Sequence, residues 1–319
     1  MKVDLNRFKN VRVLVVGDLV ADHYVYGQTE RVSREAPVLI VRHERDEVKL
    51  GGGANVAANA RALGAQVTAL GVLGADEMGT AMRVLFKAQD IALVASESEV
   101  TETKTRVLAG GLSTSRQQML RIDRGLTGPM SEKVSQRLEK SLVAPLARAD
   151  VVIVSDYGAG VLTPGVRTLL QGAAARGAKV CVDSRFSLVA YRGFTVCKPN
   201  EPELAVLTGM PVRSEAELTA AASRALELLD CQVLVVTRGR HGMSVFPRRG
   251  RPTFIAPTGQ EDAVDVTGAG DTVSASFALA FGSGASAVDA ARLANVAGSL
   301  VVQKQGTATV SLAELRAAL

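Results

Sequence analysis

The residue types and spacing best suited to chemistry lie in one octapeptide, DVTGAGDT at residues 265–272. Gly268 and Gly270 can adopt backbone angles that are closed to other residues, and Ala269 between them adds little bulk. A helical pattern follows, and the free amides and positive dipole end of a helix N-terminus favour a bound phosphate. The octapeptide therefore predicts a site where backbone amides converge on an anion.

Asp271 stands beside these glycines at the start of the helical pattern. A carboxylate does not usefully bind an anionic phosphate, but it can accept a proton from an alcohol that attacks the phosphate. We therefore predict that Asp271 is the general base of a phosphoryl transfer. The octapeptide taken alone also fits a plain helix start, with Asp271 as the N-cap residue and the glycines as a turn.

Composition favours a globular protein with a sizeable core. The 319 residues are 47% hydrophobic and 22% charged, which leaves room for one large α/β domain with an appendage, or for two domains. No apolar run reaches the roughly 18 residues that span a bilayer, and the N-terminus lacks the apolar core of a signal peptide. We therefore expect a cytoplasmic protein with no membrane partner.

Metal and nucleic-acid functions are disfavoured. Cys181, Cys197 and Cys231 are widely spaced in strand-like runs, which is typical of reduced core thiols, and the three histidines show no ligand spacing. The formal net charge is +5, but basic residues are scattered and aromatic residues make up 4%, with no Trp. A stacking platform for nucleic acid is therefore not expected, whereas anionic small substrates fit the basic excess.

Apolar β-rich segments alternate with longer helical patterns, as a parallel sheet with crossover helices requires. The predicted strands are residues 11–16, 67–73, 151–154, 179–183, 195–197 and 233–237. The predicted helices are residues 55–63, 77–87, 164–176, 201–228, 270–281, 287–302 and 312–319. No repeat or low-complexity linker interrupts this order, so we expect one α/β domain over residues 1–319.

Two segments, about 23–49 and 103–123, do not follow the alternation. They contain apolar runs at residues 38–41, 105–108 and 118–122 without a crossover helix. We predict that both segments form antiparallel strands of a small sheet inserted into the main domain. Such a sheet can act as a lid that excludes water from phosphoryl transfer.

Two further features suggest a polar ligand. The cluster GGGAN at residues 51–55 opens a predicted helix and can bring amides close to a ligand, although it lacks the GxGxxG spacing of a dinucleotide site. The chain also contains no Walker-type GxxxxGK[ST] motif. Asp18 follows the first predicted strand, at the carboxyl end where open α/β sheets bind ligands, and it fits a turn aspartate equally well.

Five motifs in chain order carry a family resemblance: VVGD at 15–18, GGGAN at 51–55, KPNEPE at 198–203, TRG at 237–239 and DVTGAGDT at 265–272. Their order and spacing resemble the ribokinase-like, or phosphofructokinase B, carbohydrate kinases over nearly the whole chain. The resemblance implies a mostly parallel α/β sheet flanked by helices, with an inserted β lid often used in dimerisation. It also implies ATP and Mg²⁺, with a monovalent cation as an additional candidate.

The resemblance assigns roles to residues of this sequence. It makes Asp271 the base and Gly268, Ala269 and Gly270 the anion hole. Asn200 and Glu203 would organise magnesium, through waters because Mg²⁺ dehydrates reluctantly, although Glu203 also fits an exposed first-turn glutamate. The residues that would hold sugar hydroxyls are Asp18, Gly52, Gly53 and Asn55. The residues on the nucleotide side, together with Gly268 and Gly270, would be Asn200, Glu203, Thr237, Gly239 and Asn295.

Within the family, residues 16–41, 51–65 and 103–123 are most similar to kinases of D-glycero-β-D-manno-heptose 7-phosphate. This similarity implies ATP-dependent phosphorylation of the anomeric O1 to the 1,7-bisphosphate, for ADP-heptose and lipopolysaccharide core synthesis. The alternatives are another ribokinase-like sugar kinase or a non-catalytic sugar-binding regulator. Many such heptose kinases are fused to a nucleotidyltransferase, and this chain stops after the last kinase helix. We therefore expect a separate nucleotidyltransferase downstream, and the β lid that the resemblance implies predicts a homodimer.

A sugar phosphate needs clustered cations, and arginine offers a bidentate fork. We predict this clamp at Lys104, Arg106, Arg116 and Arg185, each of which also fits a solvated strand. Two places depart from the fused enzymes, which have Thr-Pro-Asn and Asp-Pro-Lys where this chain has Lys198 and the segment 183–185.

Overall fold

Strands and helices alternate along the chain in the computed structural model, which describes residues 2–111, 116–186, 188–259 and 263–319. The strands are β1 (Arg12–Gly17), β2 (Leu19–Val32), β3 (Leu39–Gly52), β4 (Gln66–Gly74), β5 (Ala92–Ser98), β6 (Thr103–Gly110), β7 (Gln117–Arg124), β8 (Val151–Asp156), β9 (Val180–Ser184), β10 (Val196–Cys197), β11 (Val233–Thr237), β12 (Met243–Pro247) and β13 (Thr253–Ile255). The α-helices are α1 (Gly53–Ala62), α2 (Glu77–Ala88), α3 (Glu132–Arg148), α4 (Pro164–Ala175), α5 (Glu201–Thr208), α6 (Glu215–Leu229), α7 (Ala269–Gly282), α8 (Ala287–Val301) and α9 (Leu312–Ala317). Short 3-10 turns lie at Leu5–Asn10, Leu188–Ala190 and Gly239–His241.

The central sheet has nine strands over the described residues, in the order β13-β12-β11-β10-β9-β8-β1-β4-β5. Pairing is parallel from β11 to β5 and antiparallel for β11 with β12 and β12 with β13. Because neighbouring strands are parallel, their carboxyl ends meet at one edge, where such sheets bind ligands. Asp18, Asp156 and Asp183 lie at this edge.

Helices cover both faces of this sheet, so a central strand such as β1 is apolar on both sides. Its Val13 and Val15 belong to the core layer that contains residues of α1, α7 and α8. The alternating Leu14 and Val16 belong to the opposite layer, with residues of α3, α4 and α6. The predicted mostly parallel α/β sheet flanked by helices is therefore confirmed.

A second, four-stranded sheet has the order β3-β2-β6-β7 in the described part of the chain. The hairpins β2–β3 and β6–β7 are antiparallel, as predicted, and β2 pairs with β6 in parallel. Residues 112–115 of the predicted lid segment lie outside the described residues. The small sheet is confirmed, and its action as a lid stays a prediction.

Two details differ from the sequence expectation. The segment 201–228, predicted as one helical stretch, contains two helices: α5 ends at Thr208, where Gly209 caps it in a left-handed conformation with φ 68°, and α6 follows. The first strand of the small sheet, β2, starts at Leu19 rather than at about residue 23. Its first residues are buried against the main domain. Within the described ranges, no helix is long and apolar enough to cross a membrane.

Candidate active site

The first turn of α7 presents Asp271 at the carboxyl edge of the central sheet, where the side chain is buried. Gly268 is the N-cap residue, with φ 77° and no side-chain cap bond, so Asp271 is not the N-cap. A Cβ at position 268 would lie 2.6 Å from Asn55 Nδ2, which adds a steric reason for glycine. Gly268, Ala269 and Gly270 thus form the start of a helix, an end that favours a bound anion, although the Ala269 amide donates to Val266 O at 3.2 Å.

Two side chains from other elements hold the Asp271 carboxylate. Asn55 Nδ2 donates to Oδ2 at 2.8 Å, and Tyr157 Oη donates to Oδ1 at 2.7 Å. Burial raises the pKa of Asp271 to about 7, although both hydrogen bonds lower it. A carboxylate with this pKa accepts and releases a proton near neutral pH, as a general base must.

The GGGAN cluster allows α1 to approach the end of β1. Gly52 adopts φ 55°, and a Cβ there would lie 2.8 Å from the Asp18 carbonyl oxygen. The Gly53 amide donates to that same oxygen at 2.9 Å. This close approach brings Asn55 to Asp271, with Gly52 and Gly53 packed against the Asp18 backbone beside it.

The Asp18 carboxylate is fully buried and accepts three backbone amides from the loop after β8. Its oxygens lie 2.7 Å from Tyr157 N, 3.1 Å from Ala159 N and 3.2 Å from Val161 N. Burial raises the pKa of Asp18 to about 6 despite these hydrogen bonds. Asp18 therefore fixes this loop, and a direct contact with sugar hydroxyls stays a prediction.

An ion pair between Lys198 and Asp183 lies near the start of α7, and the sequence did not predict it as part of the site. Lys198 Nζ lies 2.9 Å from Asp183 Oδ2, which also accepts the Ser274 hydroxyl at 2.6 Å. Ser274 belongs to the first turns of α7, close to Asp271. A buried lysine and a carboxylate thus flank the helix start where the anion site is predicted.

Asn200 and Glu203 form a reciprocal capping box at the start of α5, with bonds of 2.7 and 2.9 Å. Burial raises the pKa of Glu203, so this side chain is not an exposed first-turn glutamate. The described residues contain no group of three or more His, Cys, Asp or Glu side chains that could hold a metal. A magnesium ion here would therefore keep water and phosphate ligands, as Mg²⁺ commonly does.

The remaining predicted nucleotide residues lie near this end of α5 or on α8. Thr237 forms a parallel bridge with Asn200, and its amide donates to Pro199 O at 3.1 Å. Gly239 follows β11 with φ 52°. Asn295 on α8 is buried and donates to Ala256 O at 2.8 Å, which holds the segment after β13.

The four predicted clamp cations divide between different places. Arg106 Nη1 lies 2.6 Å from Asp22 Oδ1, and Lys104 Nζ lies 4.8 Å from the Tyr157 ring centroid, so both are near the base. Arg116 pairs with Glu44 at 2.5 Å on the small sheet. Arg185 lies beside the Phe186 ring and close enough to Glu203 to oppose the rise in the Glu203 pKa that burial causes. The described contacts therefore unite only Lys104 and Arg106.

A ribokinase-like fold is the class that this architecture defines, and solved structures share it. Phosphofructokinase-2 from Escherichia coli in complex with substrates and products has a TM-score of 0.78 at 18% identity, covering 96% of this chain and 97% of that chain. Arabidopsis thaliana ribokinase complexed with ribose and ATP has a TM-score of 0.72 at 22% identity, covering 97% and 98%.

Residues 11–314 match the family described as pfkB family carbohydrate kinase, and the chain belongs to this family. A Geobacter sulfurreducens relative named "Bifunctional protein HldE" is 42% identical over 310 residues, 96% of this chain and 62% of its own length. A relative of the same name from Bradyrhizobium sp. is 40% identical over 309 residues, 95% of this chain and 62% of its own. The chain thus spans 62% of the length of these two relatives, and the predicted family is confirmed.

Proposed function

We propose that this chain phosphorylates the anomeric O1 of D-glycero-D-manno-heptose 7-phosphate with ATP, giving the 1,7-bisphosphate for ADP-heptose and lipopolysaccharide core synthesis. The observation that carries the proposal is the buried Asp271 carboxylate, held by Asn55 and Tyr157 at the helix start that Gly268 caps. Membership of a carbohydrate kinase family supports the reaction class. The heptose resemblance of residues 16–41, 51–65 and 103–123 supports the sugar.

In the proposed reaction, Asp271 takes the proton of the acceptor hydroxyl as the hydroxyl oxygen attacks the γ-phosphorus of ATP, and ADP leaves. The amides of Gly268, Ala269 and Gly270 and the α7 dipole stabilise the charge on the transferring phosphoryl. Asn200 and Glu203 would hold Mg²⁺ through waters, and the bound metal would neutralise phosphate charge. A monovalent cation is a further candidate for this site.

The sugar and nucleotide then occupy opposite sides of Asp271. Asp18, Gly52, Gly53 and Asn55 hold sugar hydroxyls, and Lys104 and Arg106 extend from β6 toward the base to hold the 7-phosphate. Arg116 and Arg185 complete the clamp once their described partners release them. Thr237, Gly239 and Asn295 lie on the nucleotide side. We further propose a cytoplasmic homodimer through the small sheet, with a nucleotidyltransferase activity consuming the product.

The test is an assay of ADP release across a panel that contains heptose 7-phosphate, unphosphorylated heptose, fructose 6-phosphate and ribose, with ³¹P NMR of the product. We expect the highest kcat/KM for heptose 7-phosphate, because removal of the dianion leaves clustered cations unpaired. Preference for another sugar would establish a different ribokinase-like kinase. If calorimetry detects sugar binding but no sugar of the panel causes ADP release, the chain is a sugar-binding regulator.

A further inference from the structure

Tyr157 contacts Asp271, but its hydroxyl takes part in no step of the proposed reaction. Its hydroxyl lies 2.7 Å from Asp271 Oδ1, while Asn55 occupies the other carboxylate oxygen at 2.8 Å. From the small sheet, Lys104 Nζ lies 4.8 Å from the centroid of the Tyr157 ring. The residue therefore lies between the small sheet and the base.

The backbone around Tyr157 is held by two carboxylates. Asp18 accepts the amides of Tyr157, Ala159 and Val161, and Asp156 accepts the Gly158 amide at 3.0 Å. Gly158 adopts φ 82°, a conformation that allows the loop to fold around the Asp18 carboxylate. These hydrogen bonds hold the backbone of Tyr157 in place and so fix the point from which its side chain extends.

We infer that Tyr157 is a positioning residue for the general base, whose hydroxyl fixes one oxygen of the Asp271 carboxylate and thereby directs the remaining lone pairs toward the acceptor hydroxyl. This inference rests on the proposed function only in taking Asp271 as the base. A hydrogen bond from a neutral phenol to a carboxylate is charge-assisted and favours one carboxylate orientation. Burial and neighbouring carboxylates raise the Tyr157 pKa, so the phenol stays protonated and remains a donor.

Removal of the hydroxyl changes the ionisation of the base in a defined direction. The Tyr157 bond lowers the Asp271 pKa against the larger effect of burial, so its loss raises the pKa above about 7. The other charged groups near the pair are Asp18 and Asp156, which hold the Tyr157 loop, Asp22 on β2, Lys104 and Arg106 on β6, Asp183 on β9 and Lys198 after β10. None of these groups changes in a Tyr157→Phe variant, which also keeps the ring beneath Lys104.

The experiment is the pH profile of kcat for wild type and Tyr157→Phe from about pH 5.5 to about pH 9.5. Loss of one hydrogen bond to a charged group should move the acidic limb upward by about one pH unit. Turnover of the variant should then be about fivefold lower at pH 7 and approach the wild-type value at the alkaline end. A merely structural role would lower turnover without moving the limb.

Tyr26→Phe is the matched control, because Tyr26 Oη donates to a carboxylate outside this loop, Glu47 Oε2 on the small sheet, at 3.1 Å. We expect this variant to keep the wild-type limb. A second readout needs no substrate: ¹³C NMR of aspartate-labelled protein follows the Asp271 carboxyl, assigned with Asp271→Asn.

An unchanged Asp271 titration midpoint in Tyr157→Phe would overturn the inference. Failure of wild type to phosphorylate any sugar would instead contradict the proposed function, while the NMR comparison would still decide the role of Tyr157.

Discussion

At the scale of single residues, the fold holds a carboxylate where its charge is disfavoured. Burial raises the pKa of Asp271 to about 7 from an ordinary value of 3.8. Between these values the folded protein retains a proton that the unfolded chain has lost. The free energy of unfolding therefore decreases as pH rises from about 4 to about 7 through this group. Asp18, with a pKa raised to about 6, contributes in the same direction.

We predict that Asp271→Asn lowers turnover and raises the Tm at alkaline pH. The variant keeps the size of the side chain and loses its basicity, so turnover should fall about 100-fold or more. Because the amide carries no charge to desolvate, the variant should have a higher Tm than wild type at pH 8 and a similar Tm at pH 5, where wild-type Asp271 is protonated. Thermal unfolding followed by circular dichroism at both pH values, beside a turnover assay, measures this.

Asp90→Asn is the control for that comparison, because the Asp90 side chain is 86% exposed and its described partner is Arg61 rather than a residue that contacts Asp271. Its Tm should remain close to the wild-type Tm at both pH values. If Asp271→Asn were less stable than wild type at pH 8, desolvation of the base would not be the dominant effect.

Local pattern was enough to propose Asp271 and its glycines as one candidate site, since Gly268, Gly270 and Asp271 are neighbours in sequence. It could not predict Tyr157 or Asp183. Tyr157 is 114 residues from Asp271, and Asp183 is 91 residues from Ser274. Both follow or end a strand at the carboxyl edge, which is the signal that pointed to Asp18. Only the strand order shows which of these ends meet.

At the scale of elements, periodicity predicted the central strands and most flanking helices within a few residues. It missed α3, whose amphipathic pattern buries only Leu138 and Leu142 within the core, and it merged α5 with α6 across Gly209. It also gave the two hairpins of the small sheet without the parallel pairing of β2 with β6. That pairing joins residues about 80 positions apart, so it depends on tertiary contacts rather than on local pattern.

The start of α7 allows fold and anion binding to be tested separately. A Cβ at Gly270 would meet nothing within 4 Å, and alanine favours a helix over glycine, so Gly270→Ala should keep or raise the Tm. If the Gly270 amide approaches the transferring phosphoryl, the added methyl group obstructs it and turnover should fall at least about tenfold. Parallel measurements of Tm and kcat test this prediction.

Gly172→Ala in α4 is the matched control, since a Cβ there meets only the end of the Arg176 side chain, at 3.4 Å. Its turnover should match wild type. Gly282, in the same helix as Gly270, is unsuitable because its Cβ would lie 2.8 Å from Val151 Cγ1. Equal turnover of Gly270→Ala and Gly172→Ala would show that residues 268–270 form a turn that does not bind the phosphate.

At the scale of the whole molecule, one face of the small sheet carries Lys104 and Arg106 toward the candidate site. The opposite face has no described partner. Side chains alternate between faces along a strand, so Lys104 and Arg106 lie on one face of β6 and the opposite face continues onto β7. There Leu120 pairs with Val107 and Ile122 with Thr105. Leu120 is 48% exposed and Ile122 55% exposed, which makes this face the best candidate for the proposed homodimer contact.

We predict that wild type elutes as a dimer of the 33.4 kDa chain in size-exclusion chromatography with light scattering, and that Ile122→Asp elutes as a monomer. A carboxylate placed in an apolar interface loses its hydration without gaining a partner, which opposes association. Val206→Asp is the control, because Val206 is an 85% exposed apolar residue on α5, away from the small sheet, and its variant should remain dimeric. Monomeric wild type would contradict the proposed homodimer, and a dimer that survives Ile122→Asp would place the contact on a different surface.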